Sequence, residues 1–148
     1  TTSPELRQVP LFADRMVGVV RAGHRLRKGR VAAAAYAAAA HIGISRQTVD
    51  QGWVEEALAA LGLERNVMTT VSGFATAIAV ARGSDLVATV PEQHTAALRA
   101  GMHTFALPFT LPSIMVSMLW HPRMHADPVH AWLRECVRKT AADPNRRF

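Results

Sequence analysis

The sequence predicts an α/β fold, with a mostly parallel sheet flanked by helices. Three observations carry this. Short β-rich apolar runs alternate with helical stretches along most of the chain. Glycines stand where helices should stop, at Gly62, Gly83 and Gly101. The helical stretches have the length that crossovers between parallel strands need.

Each element has its own signature. Met16–Val20 (MVGVV) is a short, Val-rich run between two arginines and predicts a buried strand. The turn RAGHRLRKGR follows, broken by Gly23 and Gly29. Val31–Ala40 is nearly all alanine, the best helix former, and predicts a helix with a thin surface that packs closely on a sheet. His41–Ser45 predicts a strand. Asp50–Leu61 predicts a helix with Trp53, Val54, Ala57, Leu58 and Leu61 on one stripe. Asn66–Ser72 alternates as a strand. Gly73–Arg82 places Phe74, Ala77, Ile78 and Ala81 at helical spacing. Asp85–Val90 predicts a strand, Pro91 suits a first helical position, Glu92–Ala100 continues that helix, and Met102–Leu107 is the next strand. Pro108 and Pro112 make Leu107–Ser113 an extended crossing. Ile114–Trp120 is a strand and His121–Asp127 a loop. Pro128–Thr140 is the clearest helix, with Asp127 as its cap and Val129, Trp132, Leu133, Cys136 and Val137 on one apolar stripe.

Composition narrows the function classes. With 148 residues, 49% hydrophobic and 19% charged, the chain is no disordered segment and can bury a core without disulfide or metal. No apolar stretch is long enough to span a membrane, and the opening residues lack the layout of a signal peptide. One cysteine, Cys136, allows no internal disulfide and fits a reducing cytoplasm. The formal charge of +6 would suit an acidic partner such as nucleic acid. The cations, however, gather near one turn (Arg21, Arg25, Arg27, Lys28, Arg30) and at the C-terminus (Arg134, Arg138, Lys139, Arg146, Arg147), where charge runs usually form solvated faces.

Ligands of open parallel α/β sheets bind at the carboxyl ends of strands. Three junctions there carry suitable residues: Ser45-Arg46-Gln47-Thr48, Thr70-Val71-Ser72-Gly73-Phe74 and Thr89-Val90-Pro91-Glu92. Helix starts favour an anion such as a carboxylate. Gly73 would admit a ligand close to the backbone, and Phe74 would wall a pocket. Taken singly, Ser45, Thr48 and Ser72 read as plain N-caps and Phe74 as core; their convergence keeps the pocket reading open beside that one. His121, His125, Asp127 and His130 match no zinc spacing and read as a polar loop, so no metal is expected. Ser45 and Ser113 lack a base and an orienting acid, and no G-x-S-x-G elbow occurs, so no catalytic residue is assigned. Cys136 sits in the helical stripe as a small hydrophobe. Gly18, Gly23, Gly29 and Gly43 form neither a phosphate loop nor a dinucleotide fingerprint, and no cofactor is expected.

The order of these segments resembles the effector-binding domain of LysR-type transcriptional regulators. VPLFADRMVGVVRAGHRL is similar to that family's crossing segment, and AHIGIS, ALAALGLERNV, VSGFATAIAVARGSDLVATVPE and LPFTLPSIMVSMLWHPRMHADPVHAWLRE follow in the family's order. The resemblance spans most of residues 9–139. It implies a type-2 periplasmic-binding-protein-like fold, two α/β lobes joined by two crossing strands, with an effector in the cleft. Neither the family's N-terminal winged helix-turn-helix nor the opening of its effector domain has a counterpart here. The resemblance therefore implies a complete lobe two, at about 23–108, and a partial lobe one, at 1–22 and 109–140, followed by a tail at 141–148. On it, the lobe-two side of the cleft falls on Ser45, Arg46, Gln47, Ser72, Gly73, Phe74, Val90 and Pro91. The expected partner is a small effector, with DNA held only through the absent N-terminal domain. Trp132, Leu133, Cys136 and Val137 have too little sheet to cover, which predicts self-association. A solute-binding protein of the same fold is the alternative, and an α/β enzyme fragment a third class.

Overall fold

The computed structural model describes residues 5–45 and 52–143. In chain order the elements are β1 (Arg7–Asp14), β2 (Met16–Val20), α1 (Ala33–Ala37), β3 (Ala40–Ile44), α2 (Trp53–Ala59), β4 (Asn66–Val71), α3 (Phe74–Arg82), β5 (Ala88–Pro91), β6 (His103–Ala106), β7 (Ile114–Trp120) and α4 (Pro128–Ala142). Short 3-10 turns lie at Arg25–Arg27, Ala97–Arg99 and Pro122–Met124. Two compact units result, Arg15–Ser113 and Thr1–Asp14 with Ile114–Arg147.

The Arg15–Ser113 unit is built on β2. This strand pairs antiparallel with β5 on one side and β6 on the other, with Gly18 opposite both Thr89 and Phe105. β3 pairs in parallel with β4. A parallel bridge between His41 and Val87 joins the two ladders, through Ile42 N–H to the Val87 carbonyl (2.9 Å) and Val87 N–H to the Ala40 carbonyl (2.8 Å). Thus β3, β4, β5 and β6 share a direction and only β2 runs against them. Side chains alternate across these strands. Val17, Val19, Ile42, Ala88 and Val90 pack with Ala77, Ile78 and Ala81 of α3. Val20, Val87 and Phe105 pack with Tyr36 and Ala37 of α1 and Val54 and Leu58 of α2. Both faces of the sheet are therefore covered, as the Val-rich runs require.

Met16–Val20, expected with the partial lobe one, is instead the central strand of this unit. The extended run MVGVV is more deeply buried between two partners than it would be at an edge, and its last four residues are all buried. The alanine helix is shorter than its propensity suggests, because Ala40 is taken into β3 and its carbonyl into the bridge to Val87. Sheet pairing overrides helix preference here. The helix expected over Pro91–Ala100 is a series of turns ending in the 3-10 turn. Pro91 closes β5 opposite Met16. Side chains then claim the carbonyls a helix would use: Thr95 Oγ1 donates to the Pro91 carbonyl and the Arg99 guanidinium to that of Glu92. α2 begins at Trp53 and ends at Ala59, and Leu61 of the expected stripe is exposed.

In the second unit, β1 pairs antiparallel with β7 from Arg7 opposite Trp120 to Asp14 opposite Ile114. β1 was not anticipated as an element by periodicity. Pro10 interrupts its alternation, and the register shifts between Pro10 and Phe12. α4 contacts β1 and starts as expected, with Asp127 Oδ1 accepting from the His130 N–H at 2.7 Å and Pro128 in the first turn. It continues to Ala142, so residues 141 and 142 belong to the helix rather than a tail. Its stripe is open: Val129, Trp132 and Leu133 are 73%, 67% and 51% exposed. Among the described residues no helix is long and apolar enough to cross a membrane.

Candidate functional site

The carboxyl ends of β3, β4 and β5 lie on one edge of the Arg15–Ser113 sheet. Ile44 pairs with Val71, and the Ser45 N–H donates to the Val71 carbonyl at 2.8 Å. Ser45 and Ser72 therefore leave adjacent strands side by side, and both are exposed. Gly73 is the N-cap of α3, in extended backbone, and no side chain among the described residues caps this helix. A Cβ built on Gly73 would meet nothing within 4 Å. The start of α3, the positive end of its dipole, thus faces the strand edge, with no described residue within 4 Å of a Cβ at Gly73.

Phe74 is half-buried against the α3 side of the core, and its ring stands edge-on to His94 at 6.4 Å between centroids. Val90 and Pro91 end β5 on the same edge but are buried, with Val90 fully enclosed in the core. They form the floor behind the edge rather than its surface. Arg46 and Gln47 lie outside the described residues.

Two features of this edge were not legible in the sequence. His94 stands in a stretch read as helix, so its place against Phe74 had no sequence signal. Arg15 and Glu92 are paired, with the Arg15 Nε donating to Oε2 and NH2 to Oε1 at 3.0 Å, while the Glu92 N–H donates to the Arg15 carbonyl at 2.8 Å. This supplies the acid next to Pro91 with a counter-charge at the same edge. Proximity of the two residues follows from the pairing of Met16 with Pro91.

Elsewhere in the same unit runs a line of buried polar groups. His41 of β3 is completely buried, and its Nε2 lies 2.7 Å from the Tyr36 carbonyl. A carbonyl only accepts, so Nε2 carries the proton and Nδ1 is the bare nitrogen. Nδ1 is buried without a hydrogen-bond partner. Burial is the main reason the imidazolium is pulled down to about 4, against the Tyr36 carbonyl, which favours it; Arg65 lowers it further and Glu55 raises it. The Tyr36 hydroxyl lies 2.7 Å from Thr89 Oγ1 of β5, and burial pushes this phenol up. These bonds tie α1 to β3 and β5 within the sheet, with His41 near the amino end of β3 rather than at the candidate edge.

The histidine loop has local roles. His121 Nδ1 accepts from the Arg123 N–H at 3.2 Å, and the His125 ring stacks on Trp120 at 6.2 Å. Arg134 lies over the same Trp120 ring and donates to the Met124 and His125 carbonyls at 3.0 and 2.8 Å. Among the described residues no group of three or more His, Cys, Asp or Glu side chains is placed to hold a metal ion.

Against known proteins, residues 1–142 match the family model of the LysR substrate binding domain. The chain belongs to this family. It is 28% identical over 138 residues to the HTH-type transcriptional activator NagR of Ralstonia sp, covering 89% of this chain and 46% of that protein. A putative transcriptional regulator from Vibrio parahaemolyticus superposes with a TM-score of 0.79 at 23% identity, covering 95% of this chain and 67% of that one. The effector-binding domain of QuiR, solved in complex with shikimate, shares the fold at a TM-score of 0.69 and 12% identity, covering 93% of this chain and 66% of that one. The LysR substrate-binding chain described here spans less than half the length of the curated relatives it matches. Its fold is that family's type-2 periplasmic-binding-protein-like α/β fold, which the segment order had implied.

Proposed function

We propose that this chain is the effector-sensing part of a LysR-type transcriptional regulator and takes a small anionic molecule at the edge formed by Ser45, Ser72, Gly73 and Phe74. One observation carries the reading: two exposed hydroxyls and a helix start that no described side chain caps meet at adjacent strand ends, with no described residue crowding Gly73. Hydroxyl donors and a helix N-terminus together suit a carboxylate. The Arg15–Ser113 unit is lobe two in this reading, and Thr1–Asp14 with Ile114–Arg147 part of lobe one. The relatives' names, HTH-type regulators, favour a regulator over a solute-binding protein. The complete protein would be cytoplasmic and oligomeric, without cofactor or catalysis, holding DNA through an N-terminal helix-turn-helix. Its effector would act by favouring one lobe arrangement.

The test is a transcriptional reporter for the full-length regulator, screened with small carboxylates and their uncharged amides. A carboxylate is expected to change expression where its amide does not. Gly73→Val is expected to abolish that response while the protein keeps its melting temperature, since the added atoms meet open space. An unchanged response in Gly73→Val refutes the reading.

A further inference from the structure

The chain's surplus positive charge is not spread over the molecule. Residues 15–49 contain seven Lys and Arg and no acid, while the other 113 residues carry ten cations and eleven acids. Five of the seven, Arg21, Arg25, Arg27, Lys28 and Arg30, fall within ten residues between β2 and α1. This turn lies at the sheet edge opposite the candidate ligand site. It follows the end of β2, which runs against its neighbours, and it borders Ala40 at the start of β3 and Asp85 ahead of β5. β3 alone, at five residues, separates the two edges by about 16 Å.

The turn is built rather than loose. His24 is 3% exposed and accepts the Leu26 N–H on Nδ1 at 3.1 Å. Its Nε2 therefore donates to the Asp85 carbonyl, also at 3.1 Å. Leu26 is buried in the core between two exposed arginines. Gly23 and Gly29 bracket the turn at φ +85° and +68°, the left-handed backbone that lets the chain reverse there. Behind it lies a concavity of about 530 Å³ lined by Arg21, His24, Arg25, Ala38 and Asp85. Asp85 is the only acid in that lining, and it is engaged by Arg21 at 2.9 and 2.5 Å. Arg25 donates to the Ala38 carbonyl at 3.3 Å, and Arg25, Arg27, Lys28 and Arg30 form no ion pair among the described residues.

A solvated charge run balances its cations with neighbouring acids or sits on a mobile segment. Here, among the described residues, only Arg21 meets an acid, Asp85, and His24 and Leu26 anchor the turn. We propose that the Arg21–Arg30 turn is a second binding surface, one that takes the phosphate backbone of a nucleic acid without reading its sequence. Four exposed cations on and just after the 3-10 turn Arg25–Arg27 suit a row of phosphates, whereas a single small anion would need the convergent donors proposed at the opposite edge. The choice of nucleic acid among polyanions rests on the proposed function, in which a DNA-binding domain belongs to the same protein. DNA was expected only through an N-terminal helix-turn-helix; the turn adds a contact of its own.

The test measures fluorescence anisotropy of a labelled 30-base-pair duplex of arbitrary sequence with the 148-residue chain, across a salt titration. The wild-type chain is expected to bind at 50 mM salt. The triple variant Arg25→Gln/Arg27→Gln/Lys28→Gln is expected to bind about tenfold more weakly or worse, with a salt slope flatter by about 2 to 3. A charge-matched variant, Arg7→Gln/Arg138→Gln/Lys139→Gln, is expected to bind as wild type. Absence of duplex binding at 50 mM salt overturns the proposal. So does equal weakening in the two variants, which would reduce the effect to net charge. Tighter binding to anionic phospholipid vesicles than to duplex also overturns it, in favour of a membrane surface. The substituted side chains are exposed, and circular dichroism confirms that each variant is folded before it is compared. The assay contains no effector, so its failure leaves the Gly73→Val reporter test untouched, and the reverse holds as well.

Discussion

Acidification should destabilise the chain through His41, and the size of the effect follows from its surroundings. The imidazole is fully buried, donates through Nε2 to the Tyr36 carbonyl and leaves Nδ1 without a partner. A proton added at Nδ1 would be a buried charge with no acceptor, which is why burial pulls the group from 6.5 to about 4. Between those values the unfolded chain binds the proton and the folded chain does not. Unfolding free energy therefore rises with pH across that window, and stability is lost as pH falls from about 6.5 towards 4. A difference of about 2.5 units at 1.36 kcal/mol each sets a limit of about 3 kcal/mol, of which about 2 kcal/mol is gone by pH 5. The assay is urea unfolding from pH 7.5 to 5, comparing wild type with His41→Asn. Other titrating groups cancel in the difference between the two. The variant is expected to be less stable at pH 7.5, having lost the bond to Tyr36, and to close the gap by about 2 kcal/mol at pH 5. A gap that stays constant across that range refutes the reasoning.

Other outcomes follow from single contacts. Gly18→Ala is expected to cost about 1–3 kcal/mol in urea unfolding, because its Cβ would stand 2.2 Å from the Phe105 ring; an unchanged midpoint would mean that the ring moves aside freely. Asp127→Ala is expected to cost about 1 kcal/mol by removing the cap on the His130 N–H, whereas Asp127→Asn should recover most of it; equal loss in both would rule out capping. The isolated chain is expected to self-associate through exposed Val129, Trp132 and Leu133, so light scattering should show mass falling on dilution and Trp132→Glu should shift the chain to monomer. A wild-type monomer at high micromolar concentration would show that this face needs no cover.

Strand–helix alternation was legible wherever a buried face imposed a period. β3 to β5 and α3 fall where the pattern places them, since Ile42, Ala77, Ile78, Ala81 and Val90 are all core. The pattern failed where a residue's role is set by a distant partner. Hydrophobic pattern alone does not distinguish Met16–Val20 as a central strand, for that depends on Thr89 and Phe105 arriving on either side of Gly18. Gly18 itself held the clue, since a glycine inside a strand marks a close approach, here of the Phe105 ring. β1 was hidden because Pro10 and the register shift remove the alternation that would have revealed it. The stretch after Pro91 has helical composition, but Thr95 and Arg99 spend their donors on the carbonyls of residues 91 and 92, and only tertiary structure places Thr104 to hold Arg99 there.

The candidate site was legible in its geometry and not in its chemistry. Strand order and direction brought Ser45 and Ser72 to adjoining ends, and that followed from the parallel alternation alone. Burial then divides the remaining residues. A ligand meets side chains only where the strand end is open, and β5 closes at Val90 and Pro91, both enclosed. Their part is positional: Pro91 pairs with Met16, which brings Arg15 to Glu92 and gives that carboxylate a counter-charge at the same strand edge. Left unpaired, a carboxylate at this edge would oppose the anion proposed for the start of α3. The Arg15–Glu92 pair therefore bears on the proposed anionic ligand, although Arg15 belongs to none of the strand-end motifs. Sequence spacing could not show it, because the two residues lie 77 positions apart and meet only through β2.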